Sequence, residues 1–224
     1  FNPGIPVYLP EKLTGSGWII IISSRMDLLP GYGIRVKPDS ATGDVQFPKQ
    51  RDAMPKIITS TSGAAVSTLA KAHHYRFVGI EVAIDNLYSN INYDLFTLGD
   101  ATSAQNDMSL VPHDLVVDRC YVHGHSTSEG KRGIALNSAY TVIINSNISE
   151  CHRQGQDAQA IGGWNGPGPY IINNNFLEGS GENLMFGGAI ENLEEPIDFG
   201  KVRVKIADFG IARVLEDSRT HLTG

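Results

Sequence analysis

The chain has 224 residues, with 18 Lys or Arg against 24 Asp or Glu, so its formal net charge at pH 7 is −6. This balance argues against a basic surface that follows the phosphates of a nucleic acid, and we expect no nucleic-acid partner. The longest uninterrupted apolar run, from Trp18 to Ile22, is far shorter than the roughly 20 residues that span a bilayer. We therefore expect no membrane span.

Short strand-like runs recur along the chain up to about residue 190. The first ones, at residues 7–9 and 17–23, precede a Gly- and Pro-rich stretch at 28–54 that we interpret as a long excursion, a kind of loop that is often functional. The remaining predicted strands lie at residues 56–60, 77–83, 95–99, 114–122, 133–136, 141–148, 160–163, 170–177 and 183–186. No segment before residue 190 has a capped pattern of helical period.

Three segments of the chain resemble one another, namely residues 117–124, 144–151 and 172–179. Their starts follow one another at a period in the twenties, which is typical of a solenoid whose repeats stack on their neighbours. A second periodic set, at residues 134–136, 160–162 and 184–186, lies between them. We therefore predict an all-β fold, a parallel β-helix over residues 1–189, with at least two strands in each coil and with further coils missing from this sequence.

The predicted stacking also assigns residues to columns. Cys120, Asn147 and Asn175 are expected to lie one above another, and the two Asn side chains either form a hydrogen-bonded ladder or shape the bend between strands. Cys120 and Cys151 are offset by four strand residues, about 13 Å, which is too far for a disulfide. We therefore predict two free thiols.

The pattern of short strands ends near residue 190, and we interpret residues 190–224 as a short tail outside the solenoid. Residues 201–224, with the string V-K-I-A-D-F-G-I-A-R, resemble the activation segment of bacterial-type Ser/Thr protein kinases. The resemblance implies that Asp208 would hold Mg²⁺. The Gly-rich loop, the ATP-pairing Lys and the catalytic Asp of that family are all missing, so we expect a kinase remnant without activity. Residues 201–206 either add a last strand or remain unordered.

Four strings in the central part resemble the right-handed parallel β-helix, pectate-lyase-like superfamily. They are H-H-Y-R-F-V-G-I-E at residues 73–81, P-H-D-L-V-V-D-R-C-Y at 112–121, R-G-I-A-L-N at 132–137 and G-W-N-G-P-G-P at 163–169. The resemblance implies a secreted protein, extracellular or periplasmic, although no signal peptide is visible. It also implies polysaccharide as the ligand class. We expect the protein to act as a monomer.

Stacked repeats would gather acidic and basic side chains along one edge. His123, Glu150 and Glu178 are predicted to share one column, with His125 and His152 together two positions further on. The loops that follow add Glu129, Arg132, Arg153, Asp157 and Glu182.

Two kinds of sugar chemistry would suit this edge. A glycoside hydrolase needs two carboxylates, and Glu150 with Glu178, or either of them with Asp157, are the candidates. A lyase needs a base beside a neutralised uronate, for which His152, Arg153 and Asp157, helped by Ca²⁺, are the candidates.

Several alternatives stay open at the level of sequence. The charged residues can decorate solvated turns of a noncatalytic surface solenoid, or the chain can be a truncated, nonfunctional hybrid. Trp164 is either a platform for a sugar ring or packing for the end of a coil, and Arg132 and His123 are candidate substrate contacts. His123, His125 and His152 could ligate a metal, but their spacing matches no zinc motif, and we expect no metal centre.

Overall fold

The computed structural model describes residues 5–187 and the backbone of Arg203 and Val204. The strands are β1 Val7–Leu9, β2 Ile19–Ile22, β3 Lys56–Thr59, β4 Val66–Thr68, β5 His73–Val78, β6 Glu81–Ile84, β7 Phe96–Leu98, β8 His113–Asp118, β9 Tyr121–His123, β10 Arg132–Leu136, β11 Ala139–Ile144, β12 Asn147–Cys151, β13 Gln159–Gly163, β14 Tyr170–Asn173, β15 Phe176–Gly179, β16 Glu182–Phe186 and β17 Arg203–Val204. Three short 3₁₀ helices occupy Met26–Leu28, Gln50–Ala53 and Met108–Leu110. Within the described residues, no helix is long and apolar enough to cross a membrane.

The strands form three parallel sheets, and from β1 to β14 each strand pairs with the one three positions further along the chain. The first sheet has the order β1-β4-β7-β10-β13-β16, the second β2-β5-β8-β11-β14-β17 and the third β3-β6-β9-β12-β15. One coil therefore contributes one strand to each sheet, and successive coils stack. The predicted parallel solenoid is confirmed, with three strands in each coil. The predicted runs 77–83, 114–122, 141–148 and 170–177 each span two strands of different sheets.

The corner between the second and third sheets depends on one left-handed residue in each coil. Gly79, Arg119, Asn145 and Asn174 have φ values of 65°, 50°, 54° and 55°. Glycine and asparagine adopt this conformation at least cost. A side chain at Gly79 would also approach Leu29 Cδ1 to 2.5 Å. The corner is therefore encoded locally, one residue per coil.

The predicted register at this corner is wrong by one residue. Ile143 pairs with Val117 on one side and with Ile172 on the other, so the coils here are 26 and 29 residues long. Coils of unequal length shift the column that we predicted. Asn147 therefore pairs with Tyr121 and Phe176.

The hydrogen-bonded ladder is formed by neighbouring residues instead. Asn174 Nδ2 donates to Asn145 Oδ1 at 2.8 Å, and Asn145 Nδ2 donates to Asp118 Oδ1 at 3.1 Å. Beside it, the Ser146 amide donates to Asn175 Oδ1 at 2.8 Å. An Asn ladder does run along the stack, but it starts at Asn145.

The interior of the coils is apolar and includes both cysteines. Cys120 and Cys151 are buried and unpaired, which confirms the prediction of free thiols. Burial raises the pKa of each thiol to about 12, so both remain protonated and unreactive in the folded protein near neutral pH.

The excursion, defined from here on as residues 24–55 between β2 and β3, packs outside the coil. Leu29, Val36, Ala53 and Met54 form a second apolar cluster with Tyr121, whose side chain lies on the outer face of the third sheet. This packing explains why strands β6 and β9 are buried on both faces. The excursion thus covers part of one flank of the solenoid.

Beyond residue 187 the structure describes one short strand. The backbone of β17 pairs in parallel with β14, with Arg203 opposite Ile171 and Val204 opposite Ile172. The alternative that residues 201–206 add a last strand is therefore confirmed at these two positions.

Candidate functional site

The third sheet presents two outward columns of side chains on the flank that the excursion partly covers. Along the first column, pairing places Lys56, Glu81, Tyr121, Asn147 and Phe176 on consecutive coils. Along the second, Ala83 pairs with His123, and His123 pairs with Ser149. Side chains in one column are about 4.8 Å apart, so residues distant in sequence form a continuous surface.

Residues 33–36 of the excursion are tied to the corner of the solenoid. The Val36 amide donates to the Asn145 carbonyl at 2.9 Å, and Asn174 Nδ2 donates to the Gly33 carbonyl at 3.0 Å. Arg35 Nη1 donates to the Asn175 carbonyl at 3.3 Å. The corner residues therefore hold this segment beside the third sheet.

A groove of about 450 Å³ lies between the excursion and the solenoid flank. Its lining consists of Arg35, Val36, Lys37, Pro38, Asp39 and Ser40 on one side and Asn147 and Phe176 on the other. Phe176 is 44% exposed, and Asn147 Oδ1 is buried without a donor among the described residues. A buried acceptor without a partner is costly, and the residue that carries it also lines a cavity large enough for a ligand.

A buried cluster of charges lies under the excursion, in the same two columns. Glu81 is 2% exposed, and its carboxylate accepts hydrogen bonds from Lys56 Nζ at 3.2 Å, Arg51 Nη2 at 3.3 Å and His123 Nε2 at 3.1 Å. Burial acts to raise the pKa of Glu81, but the bonds from His123 and Lys56 outweigh it and lower that pKa. Glu81 is therefore a carboxylate at neutral pH.

The contacts of His123 hold its ring within the solenoid. Its Nδ1 lies 2.6 Å from the Gly124 carbonyl oxygen, and its Nε2 lies 3.1 Å from the Glu81 carboxylate. The ring also stacks on Tyr121, with centroids 4.0 Å apart. His123 is therefore buried among solenoid residues, an arrangement that we did not foresee when we predicted it as a substrate contact.

Two of the predicted catalytic residues are adjacent, with the backbone of one against the carboxylate of the other. The Glu150 amide donates to Glu178 Oε2 at 3.3 Å, across β12 and β15. Glu150 has a φ of 55° at an irregularity in the pairing of these strands. His123 does not join them, because its partner on β12 is Ser149. The predicted column of His123, Glu150 and Glu178 is wrong for this reason.

The other predicted catalytic residues lie in the loop after β12. His152 Nε2 contacts the His125 carbonyl at 3.0 Å, so these two residues do meet as predicted. The Arg153 guanidinium lies 5.1 Å from the centroid of the Tyr93 ring, while Asp157 is exposed to solvent. None of these residues lines the groove.

Arg132 and Trp164, predicted as substrate contacts, contact each other. Arg132 is 6% exposed, is bound to Asp94 and Gln159, and has its guanidinium 4.7 Å from the centroid of the indole ring. One face of the half-buried Trp164 ring is thus covered by a cation, which leaves less of it available as a sugar platform.

In the part of the chain that the structure describes, no three His, Cys, Asp or Glu side chains are arranged to hold a metal ion. The alternative of a site at His123, His125 and His152 is not supported, because their ring nitrogens bind separate partners. His123 contacts Glu81 and Gly124, His125 Nδ1 contacts Thr127 Oγ1, and His152 Nε2 contacts a carbonyl. Asp208 lies outside the described residues.

The sequence prediction missed the groove residues Arg35, Lys37, Asn147 and Phe176. The length of the excursion was the available signal, since it identified the segment but not the part of the solenoid against which it packs. Searches against protein-family models, curated proteins and solved structures find no match to the chain.

Proposed function

We propose that the chain is an extracytoplasmic, carbohydrate-binding β-solenoid that holds an acidic polysaccharide in the groove beside the third sheet. The groove carries the proposal because it combines two cationic side chains with an asparagine and an exposed aromatic ring. The proposal takes the coils to be right-handed, the hand that dominates connections between parallel strands, and the protein to be monomeric.

Each part of the groove suits one part of a uronate. Arg35 and Lys37 are placed to neutralise a carboxylate, and a guanidinium can bind it in a bidentate manner. Asn147 lines the groove, and its side-chain amide is the group there that can hydrogen-bond to a sugar hydroxyl. The Phe176 ring offers an apolar surface to the C–H face of a sugar ring.

The geometry favours a protein that binds the polysaccharide without cleaving it. The proposed catalytic residues Glu150, Asp157, Glu178, His152 and Arg153 do not line the groove. The adjacency of Glu150 and Glu178 is the observation that favours a second candidate, a glycoside hydrolase acting at the edge beside β15. A Ca²⁺-assisted lyase would use His152, Arg153 and Asp157.

The first test measures binding of polygalacturonate and alginate by affinity electrophoresis and calorimetry, with uncharged dextran as the control polymer. We expect the acidic polymers to bind, and binding to weaken with added salt because the groove charges are exposed. Replacing both cations (Arg35→Gln with Lys37→Gln) should weaken binding by about tenfold or more. Phe176→Ala should weaken binding as well.

The matched control is Lys71→Gln, which removes an exposed cation outside the groove. Equal binding of dextran, or an equal loss in the control variant, would refute the proposed site. Product release from the same polymers, with and without Ca²⁺, separates binding from catalysis. If products form and Glu150→Gln or Asp157→Asn abolishes them, the hydrolase or lyase alternative replaces the binding function.

A further inference from the structure

The outer face of the second sheet carries a column of side chains that are not part of the groove. The pairing of β2, β5, β8 and β11 places one residue from each of four consecutive coils in this column. The rings of Trp18 and His74 pack together there, with centroids 5.1 Å apart. Trp18 is 43% exposed and Tyr140 is 61% exposed. The column, named the ring column from here on, consists of Trp18, His74, Asp114 and Tyr140.

Tyr140 holds its place in the ring column with a strained backbone. His74, Asp114 and Tyr140 all have a left-handed conformation, with φ values of 59°, 52° and 46°. Asparagine, aspartate and histidine are the side chains that tolerate this conformation, whereas a tyrosine is strained there. An exposed ring adds little to the packing that would offset the strain. Strained residues of this kind cluster where a protein binds a ligand, so the position of Tyr140 points to a ligand.

A second outward column, next to the ring column, is largely aliphatic. Val116 pairs with Arg76 on one side and with Val142 on the other. Arg76 Nη2 donates to the buried Asp118 carboxylate at 3.0 Å, which neutralises its charge. Pairing continues the column at both ends, where the isoleucines are 53% and 49% exposed. Its members in order are Ile20, Arg76, Val116, Val142 and Ile171.

The size of this surface suits a single extended chain better than a second protein. Five coils extend about 19 Å along the axis, and the two columns are about 7 Å apart. The surface therefore covers roughly 300 Å², the size of the largest apolar patches on ordinary monomers, which are often functional. A stable dimer needs about 800 Å² from each partner. The shape is long and narrow, and its long direction follows the axis of the solenoid.

We propose that the ring column is a second binding surface, which takes an uncharged polysaccharide lying along the axis of the solenoid. Trp18 and Tyr140 are three coils apart, about 14 Å, so one extended chain can lie flat against both rings. Each ring offers an apolar face to the C–H face of a sugar and a polar group to its hydroxyls. The Asp114 carboxylate, 39% exposed, can accept a hydrogen bond from a hydroxyl and disfavours an acidic polymer by repulsion. The inference is independent of the groove, whose cations select acidic polymers.

The test measures binding of the full chain to hydroxyethyl cellulose by affinity electrophoresis and to cellohexaose by calorimetry, with dextran as the control polymer. We expect both cellulose ligands to bind, and Tyr140→Ala or Trp18→Ala to weaken binding by about two- to tenfold, the loss of one ring contact. Tyr32→Ala is the matched control, because it removes an exposed tyrosine outside the ring column. Wild-type protein that does not bind cellulose, equal binding of dextran, or an equal loss in the control would overturn the proposal.

Tyr140→Asn separates binding from a structural role of the ring. Asparagine adopts the left-handed conformation at less cost than tyrosine, so we expect an unchanged or higher melting temperature together with weaker cellulose binding. A melting temperature that falls with the loss of the ring would assign Tyr140 to packing and overturn the proposal. Arg35→Gln with Lys37→Gln should leave cellulose binding unchanged. Failure of polygalacturonate binding alone would refute the proposed function of the groove and leave this surface intact.

Discussion

Asp118 shows how a single carboxylate organises the corner of the solenoid. It is fully buried, at 0% exposure, and its oxygens accept hydrogen bonds from Arg76, Arg119 and Asn145. These donors come from three consecutive coils, so the carboxylate connects the stack along its axis. A buried charge is tolerated only when it is paired in this way.

Replacing this carboxylate should therefore be strongly destabilising. We expect Asp118→Asn to lower the free energy of unfolding by about 3 kcal/mol, because it leaves two arginines beside an amide in a buried site. Urea unfolding, with an unchanged dependence on denaturant, measures the loss. Asp27→Asn, which breaks the exposed pair with Arg25, is the control and should change the midpoint little. Equal losses in both variants would contradict this role of Asp118.

Asn145 forms the corner between strands β11 and β12. Its backbone is left-handed, its side chain bonds Asp118 and Asn174, and its carbonyl accepts the Val36 amide. One residue thus supports the turn, the ladder and the groove wall. The backbone and side-chain contributions can be separated by substitution.

At this corner, a glycine preserves the backbone conformation but a β-branched residue does not. We expect both Asn145→Gly and Asn145→Val to destabilise the protein, since both lose the ladder hydrogen bonds. The valine variant should be less stable than the glycine variant by about 1–2 kcal/mol, the cost of the left-handed conformation. Thermal and urea unfolding of the two variants give this difference directly. If the two are equally stable, backbone strain does not shape the corner.

Lowered carboxyl pKa values across the chain affect the stability of the whole molecule. Glu81, Asp27, Asp39, Asp44 and Asp107 all have a pKa below the ordinary value. A lowered folded-state pKa means that the unfolded chain binds protons first as the pH falls. The stability that these groups contribute is therefore present above the ordinary values of 4.5 for Glu and 3.8 for Asp, and is lost on further acidification.

We accordingly expect the contribution of these carboxyls to the free energy of unfolding to stay constant above about pH 5 and to fall below it. For Glu81, the buried member of this set, the slope should be at most about 1.4 kcal/mol per pH unit, the value for one additional proton taken up on unfolding. Urea titrations at a series of pH values measure it. Glu81→Gln, which removes the buried contributor, should give a shallower acid slope than the wild type. A rise in stability between pH 5 and 3 would show that other groups dominate.

Some neighbours of the predicted site residues could be inferred from the sequence, and others could not. The free cysteines and the meeting of His125 with His152 were predictable, because both follow from stacking alone. The one-residue error at Asn147 arose because the coils differ in length, and the same error placed His123 with Glu150. A register error in a strand moves a side chain to a different neighbour.

The repeat period was enough to predict the coiled architecture, because a period in the twenties leaves each repeat no way to bury its apolar face except against the next one. The position of the groove could be read only from the folded chain. Arg35 contacts Asn175 from 140 positions away, and the excursion that carries Arg35 has no periodic pattern that would indicate its partner. Packing against the flank created the groove and helped to bury Glu81. These properties follow from long-range contacts, which a local pattern of residues does not encode.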